Sequence, residues 1–152
     1  MDHTLTYDYR EVMKLSNQLC FPLYAAARKV TALYTPFLTE LNLTYTQYLV
    51  LLVLWEQDGI PVSEICRRLH LDNGTVSPLL KKLEKEGLLE KSRSPEDERV
   101  VLITLTEAGR ALQERAKEIP GKVGSCVRLT PGKALTLYQL LYELLDEDMS
   151  SF

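Results

Sequence analysis

The chain has 152 residues, 45% of them apolar and 26% charged, which is globular composition with enough length for one domain and too little for two ordinary ones. A net charge of −3 excludes a generally basic nucleic-acid binder, so any affinity for nucleic acid has to come from local charge. No apolar run approaches the ~20 residues of a membrane span and the start MDHTLTYDYREVMKL has no basic flank ahead of an apolar core, so a soluble cytoplasmic protein is expected.

Leu15, Leu19, Leu23, Ala26, Val30, Leu33, Phe37 and Leu41 recur at steps of three and four, the signature of one apolar stripe along a long first helix. Thr44 and Gln47 are spaced as a capping box and open a second helix through Trp55, which Asp58-Gly59 would stop. Pro61 to Leu69 reads as a short third helix and His70-Leu71 as a tight turn. Asp72 then caps a fourth helix running to Glu86, with Val76, Leu79, Leu80 and Leu83 on its buried side and Gly87 at its end. Two helices joined by so short a turn form a helix-turn-helix pattern.

After Gly87, Leu88 to Lys91 and Val100 to Leu105 read as strands separated by the charged, turn-rich loop Ser92-Arg-Ser-Pro-Glu-Asp-Glu-Arg99. A charged hairpin placed directly after the fourth helix is a wing, running from Leu88 to Leu105. Thr106-Glu107 begins a fifth helix expected to reach about Ile119, where Pro120-Gly121 would break it. Thr130 and Pro131 suit the N-cap and first position of a sixth, whose stripe of Leu137, Leu141 and Leu144 is widened by Tyr138, Leu140 and Leu145. The expected fold is therefore mainly α with a small β-hairpin wing, a six-helix winged helix-turn-helix in a single domain, 1–152. Two terminal helical regions too apolar for so small a core point to an intersubunit seam, so 1–42 and 106–152 are expected to dimerise and 43–105 to form the winged unit.

Residues 61–105 carry eight Lys/Arg and eight Asp/Glu, so the acidic excess lies elsewhere. The first turn of the fourth helix offers Asn73, Gly74, Thr75, Ser77 and Pro78, short polar groups able to meet base edges or phosphates, and Lys81 and Lys82 follow where phosphates would lie. In the wing, Arg93 and Arg99 flank the loop, and an arginine on a thin hairpin suits a narrow minor groove. Asp97 is near enough to hold the Arg99 guanidinium by charge-assisted hydrogen bonds. The bland alternatives are an amphipathic surface helix and a solvated loop of mixed charge. A dimer of such units would take double-stranded DNA with a roughly palindromic operator.

The run Asp72-Asn-Gly-Thr-Val-Ser-Pro-Leu-Leu-Lys-Lys-Leu-Glu-Lys-Glu-Gly-Leu-Leu89, followed by Asp97-Glu-Arg-Val-Val-Leu-Ile-Thr-Leu-Thr-Glu-Ala-Gly109, resembles the MarR family of winged-helix repressors. Within it, Leu15-Ser-Asn-Gln-Leu-Cys-Phe-Pro-Leu-Tyr24 and Leu43-Thr-Tyr-Thr-Gln-Tyr-Leu49 are similar to the branch that senses organic hydroperoxides. That resemblance implies a peroxide-reactive thiol at Cys20, tyrosines at Tyr34 and Tyr45 that hydrogen-bond to it, and no cofactor. It also implies that Cys126 belongs to the stretch where one subgroup carries a second cysteine, which captures the oxidised first thiol of the other subunit as a disulfide.

On spacing alone Cys20 reads first as a small buried hydrophobe on the stripe, Cys126 equally as a loop thiol, and Cys66 as a packing residue of the third helix. A continuous first helix would hold Tyr34 ~21 Å from Cys20, so the tyrosine would have to come from the other subunit. Tyr24, one turn on, is a local alternative. Pro22 departs from the family pattern: inside a helix it removes a donor and kinks the chain, whereas at a helix start it would put Cys20 just before a positive helix end.

Two other readings compete. A small aromatic or apolar ligand, bound against Tyr34, Tyr45, Tyr48 and Trp55, would serve as the signal equally well. A thiol peroxidase built on Cys20 and Cys126 would leave the wing and the reading helix without purpose. The sequence holds no Ser/His/Asp set, phosphate loop or paired Cys/His spacing, so neither an enzyme nor a metal protein is expected.

Overall fold

The computed structural model describes residues 8–146. The outer ends of the two expected dimerisation segments, 1–7 with His3 and 147–152, lie outside the described residues. The elements run α1 (Tyr9–Val12), a 3-10 turn (Leu15–Asn17), α2 (Cys20–Ala32), α3 (Thr35–Thr39), α4 (Tyr45–Glu56), β1 (Ile60–Pro61), α5 (Val62–Leu69), α6 (Asn73–Lys85), β2 (Leu89–Arg93), β3 (Val101–Leu105), α7 (Glu107–Ala116), α8 (Ile119–Cys126) and α9 (Pro131–Asp146). The architecture is the expected winged helix-turn-helix, but among the described residues its helical segments outnumber the six expected.

The single long first helix is not formed. Leu15 falls in a separate 3-10 turn, and the apolar stripe from Cys20 onward is divided between α2 and α3. Pro36, in the first turn of α3, has no N–H to give the Ala32 carbonyl. The end of α2 tightens accordingly into shorter-range bonds, from Leu33 N to Val30 O and from Tyr34 N to Thr31 O, each 3.1 Å. Pro22 sits in the first turn of α2, where a missing donor costs nothing. The same rule corrects the fifth helix. Pro120 does not break a helix there but opens α8, and the break falls between Ala116 and Ile119.

The capping signals hold. Gln47 N donates to Thr44 Oγ1 at 3.3 Å and Thr44 N donates to Gln47 Oε1 at 2.9 Å, closing the capping box of α4. Asp72 caps α6, and Thr130 accepts from Lys133 N at the head of α9. His70 adopts φ 52 to end α5, and Leu71 N donates to Cys66 O at 3.0 Å, making the turn that sets α6 against α5.

The sheet has three strands rather than two, ordered β1-β3-β2 and antiparallel throughout. Leu89 faces Leu105 and Arg93 faces Val101 across the hairpin, while Ile60 faces Ile103 on the other edge of β3. The core is built from α4, α5, α6, the sheet and α7, with Val50, Leu51, Ile65, Val76, Leu83 and Ile103 fully buried. By contrast α2 and α9 bury no residue within the chain. Leu19, Phe21, Leu23 and Tyr24 at one end, and Leu137, Tyr138, Leu140 and Leu144 at the other, stand exposed. Among the described residues no helix is long and apolar enough to cross a membrane.

Candidate nucleic-acid interface and sensor thiols

The two faces of α6 divide cleanly. Val76, Leu80 and Leu83 are buried, while Asn73, Gly74, Thr75, Ser77, Pro78, Lys81 and Lys82 are exposed. Asp72 fixes the first turn, its Oδ1 accepting from Thr75 N at 2.8 Å and its Oδ2 from Thr75 Oγ1 at 3.0 Å. Those bonds, the backbone donor first, hold the Asp72 carboxyl below its ordinary range. Ser77 Oγ donates to Asn73 Oδ1 at 3.1 Å. Pro78 lies inside the helix, and because it has no N–H it leaves the Gly74 carbonyl without its intrahelical donor.

The wing presents its arginines in different ways. Arg99 grips Asp97 with a fork, Nε to Oδ1 and Nη2 to Oδ2, both 3.1 Å, and its backbone N–H reaches Oδ1 at 3.0 Å. The Arg99 guanidinium, ahead of that backbone donor, holds the Asp97 carboxyl below the usual range. Arg93 Nη1 donates to the Glu98 carbonyl at 3.0 Å, which closes the loop over its own base. Between wing and helix a groove of about 420 Å³ is lined by Ser63, Asn73, Ser77, Lys91 and Arg99 among others. Ser63 and Lys91 were not anticipated from sequence. Lys91 is paired with Glu84 of α6 at 3.2 Å, a contact between separate elements that no local motif announces.

The winged unit is tied to α7 by long-range bonds. Asp58 Oδ1 accepts from Gly59 N at 2.9 Å and from Leu105 N at 2.8 Å, and Oδ2 accepts from Arg110 Nη2 at 2.9 Å. Trp55 Nε1 donates to Gly109 O at 2.9 Å. Thr106 N donates to Leu88 O at 3.1 Å, and Thr106 Oγ1 donates to Gly87 O at 2.6 Å.

Of the expected sensor residues, Cys20 is the exposed first residue of α2, flanked by the exposed apolar side chains of Leu19 and Phe21. Cys126 is the exposed last residue of α8, and Cys66 is half-buried against the core. Tyr34 and Tyr45 are brought together, ring centroids 4.9 Å apart, and Tyr34 also meets Tyr48 at 5.8 Å. The helix α2 runs unbroken from Cys20 to Ala32, ~18 Å at ~1.5 Å per residue, so Tyr34, two residues beyond it, stays far outside hydrogen-bond reach of Cys20 in its own chain.

Burial, then the neighbouring Tyr34, raises the Tyr45 hydroxyl above its ordinary pKa of 10.0, and the same causes, with Tyr45 added, raise Tyr48. A phenol whose folded pKa is raised stabilises the fold fully below its unfolded value and loses that contribution as pH climbs through the folded one. In a spectroscopic alkaline titration, Tyr45 and Tyr48 should therefore ionise late, above the ordinary range of the phenol, and thermal stability should fall with them. Tyr45→Phe with Tyr48→Phe should shrink the late phase and leave the share of Tyr142, whose hydroxyl is raised by its hydrogen bond with Tyr138.

The arrangement of a capped reading helix, a hairpin carrying an exposed arginine and a groove between them is that of a winged helix-turn-helix regulator. Residues 32–116 match the family described as Transcriptional regulator SarA/Rot. The organic hydroperoxide resistance transcriptional regulator of Bacillus subtilis (strain 168) is 48% identical over 134 residues, 88% of this chain and 91% of that protein. Among solved structures, reduced AbfR bound to DNA is 38% identical with a TM-score of 0.71, covering 90% of this chain and 97% of that one. AbfR in its disulfide form is 37% identical with a TM-score of 0.62, covering 91% and 97%. The chain belongs to the SarA/Rot family of transcriptional regulators, within the MarR-type winged-helix group.

Proposed function

We propose that this protein is a homodimeric DNA-binding repressor, acting in the cytoplasm, that leaves a roughly palindromic operator when Cys20 is oxidised by an organic hydroperoxide. The observation that carries the reading is the placement of Cys20 in the open at the head of α2, on an apolar face that buries nothing within its own chain. A second copy packed on α2 and α9 would cover that face and enclose the thiol. The B. subtilis relative is named for organic hydroperoxide resistance, and AbfR has been solved reduced on DNA and in a disulfide form.

In this scheme the Cys20 thiolate attacks the distal peroxide oxygen, forming a sulfenic acid and releasing the alcohol. The thiol of Cys126 from the partner, or a small thiol, then condenses with the sulfenic acid, forming a disulfide and releasing water. Tyr34 and Tyr45 are the phenols that would hydrogen-bond the Cys20 sulfur across the seam. Rearrangement there would spoil the matched spacing of the two α6 helices on successive turns of the duplex. Release requires only that the oxidised dimer bind DNA a few kcal/mol less well than the reduced one.

The test is DNA affinity measured before and after stoichiometric organic hydroperoxide. Wild type should lose at least roughly tenfold in affinity, about 1.4 kcal/mol, and Cys20→Ser should lose nothing. If Cys20→Ser still left DNA on oxidation, the switch would lie elsewhere. Release of fully reduced protein by a small aromatic compound would replace the peroxide signal with a ligand. Of the DNA-reading residues, Lys81 and Lys82 are assigned to phosphates and Asn73, Gly74, Thr75, Ser77 and Pro78 to the major groove. Arg93 and Arg99 are assigned to the wing contact, with Asp97 holding Arg99. Lys81→Ala and Lys82→Ala should each weaken binding uniformly across sequences and flatten the slope of log affinity against log salt by about 1.8, two phosphate contacts per dimer at about 0.9 each.

A further inference from the structure

The first turn of α6 has little uncommitted chemistry. Thr75 gives its hydroxyl proton to Asp72 Oδ2 and Ser77 gives its own to Asn73 Oδ1. The Ser77 bond does more than satisfy a hydroxyl, because it fixes which way the Asn73 amide points. The carbonyl edge is turned along the helix toward Ser77, and among the described residues the amide N–H groups have no partner. Both side chains are exposed and both line the groove between helix and wing.

A carboxamide held this way offers one donor edge and the second lone pair of its oxygen. In the major groove that pair of groups complements adenine, whose N7 accepts and whose 6-amino group donates. Guanine presents two acceptors there, one of which would face the Asn73 oxygen. The groups that favour guanine are Arg and Lys, and the first turn of α6 carries neither, Lys81 and Lys82 coming more than a turn later.

We infer that Asn73 selects an adenine in each half-site, and that Ser77 is a positioning residue that holds the Asn73 amide in its reading orientation. The inference rests on the DNA-binding reading above and adds to it a base and two distinct roles.

The test begins by selecting sites from randomised duplex DNA with wild type, Asn73→Ala, Ser77→Ala and Ser77→Thr. Each adenine of the wild-type site is then replaced in turn by 7-deazaadenine, which lacks the N7 acceptor, or by unsubstituted purine, which lacks the 6-amino group. One adenine per half-site should cost wild type about tenfold with either analogue, within the range of a good bidentate contact. Asn73→Ala should be indifferent to both, Ser77→Ala should show a reduced penalty, and Ser77→Thr, which keeps the hydroxyl, should restore it.

An undiminished penalty in Asn73→Ala, or a wild-type site with no sensitive adenine, would overturn the inference while leaving DNA binding intact. Should Asn73→Ala bind too weakly to titrate, the serine variants decide, since an undiminished penalty in Ser77→Ala overturns the positioning role. If wild type selected no DNA at all, the regulator reading would fail and this inference with it.

Discussion

Gly109→Ala is expected to destabilise the protein by about 1–3 kcal/mol, a fall in melting midpoint of roughly 2–12 °C at the ~2–4 °C per kcal/mol usual for this size. Gly109 lies in the first turn of α7, where alanine is ordinarily the better helix former by about 1 kcal/mol. Here space decides the sign. A Cβ built on Gly109 would sit 2.0 Å from the Leu88 carbonyl oxygen and 3.1 Å from Leu105 Cδ2, and the nearer atom is backbone that no rotamer can move. Relief requires α7 to back away from the start of the wing, stretching the Thr106 N to Leu88 O bond and the Trp55 Nε1 to Gly109 O bond. In α8, Gly121 has nothing within 4 Å of the same position, so Gly121→Ala should stabilise by about 0.4–1 kcal/mol. Thermal melts of the two variants side by side check the argument, and equal midpoints would refute it.

Asp58→Ala should be nearly as costly, and for a different reason. The carboxylate is the acceptor for the Leu105 amide at the inner end of the wing, and leaving a partly buried amide unmet costs about 1–3 kcal/mol. Its other oxygen holds Arg110, but that pair is more than half-exposed on the arginine side and is worth ~0–1 kcal/mol. Arg110→Ala should therefore barely move the denaturation midpoint while Asp58→Ala lowers it clearly. Chemical denaturation of both variants measures the difference. Similar losses in the two would mean that the ion pair, not the amide acceptor, anchors the wing.

What could be read from the sequence follows the range of the forces involved. The caps at Thr44, Asp72 and Thr130, the turn at His70 and the Asp97–Arg99 fork are all made by residues within five positions of one another, and each has a local signature. The reading helix and wing were placed to within a few residues for that reason. Prolines misled in one consistent way. Apolar spacing runs one long helix through Pro36 and a breaker reading ends another at Pro120, whereas each proline occupies the first turn of a new helix, where its missing N–H is harmless.

The sequence puts Pro61 in the third helix and Ile60 in no element, because nothing local marks the two-residue strand that they form. It exists by pairing with Ile103 and Leu102, far along the chain. The partners of Trp55, Asp58, Gly109 and Lys91 have no local signature for the same reason, since each acts on a group from another element. The exposed thiol of Cys20 shows the limit from the other side. The bland reading of Cys20 as a small buried hydrophobe fails because it is exposed, and whether a stripe is core or open surface depends on what the rest of the chain covers.

The fork between Arg99 and Asp97 has a consequence for the thermodynamics of docking. A free arginine at a loop tip samples many rotamers and surrenders that freedom when it enters a groove. Arg99 has already surrendered much of it, held on both oxygens of a carboxylate while its side chain remains 90% exposed. Under the proposed function, the ordering entropy is spent during folding, leaving less to lose at the DNA. The same carboxylate brings a negative charge toward the phosphates, so Asp97 trades repulsion for order. Asp97→Asn would relieve the first and loosen the second, and calorimetry should show a less favourable binding entropy even where the affinity hardly changes.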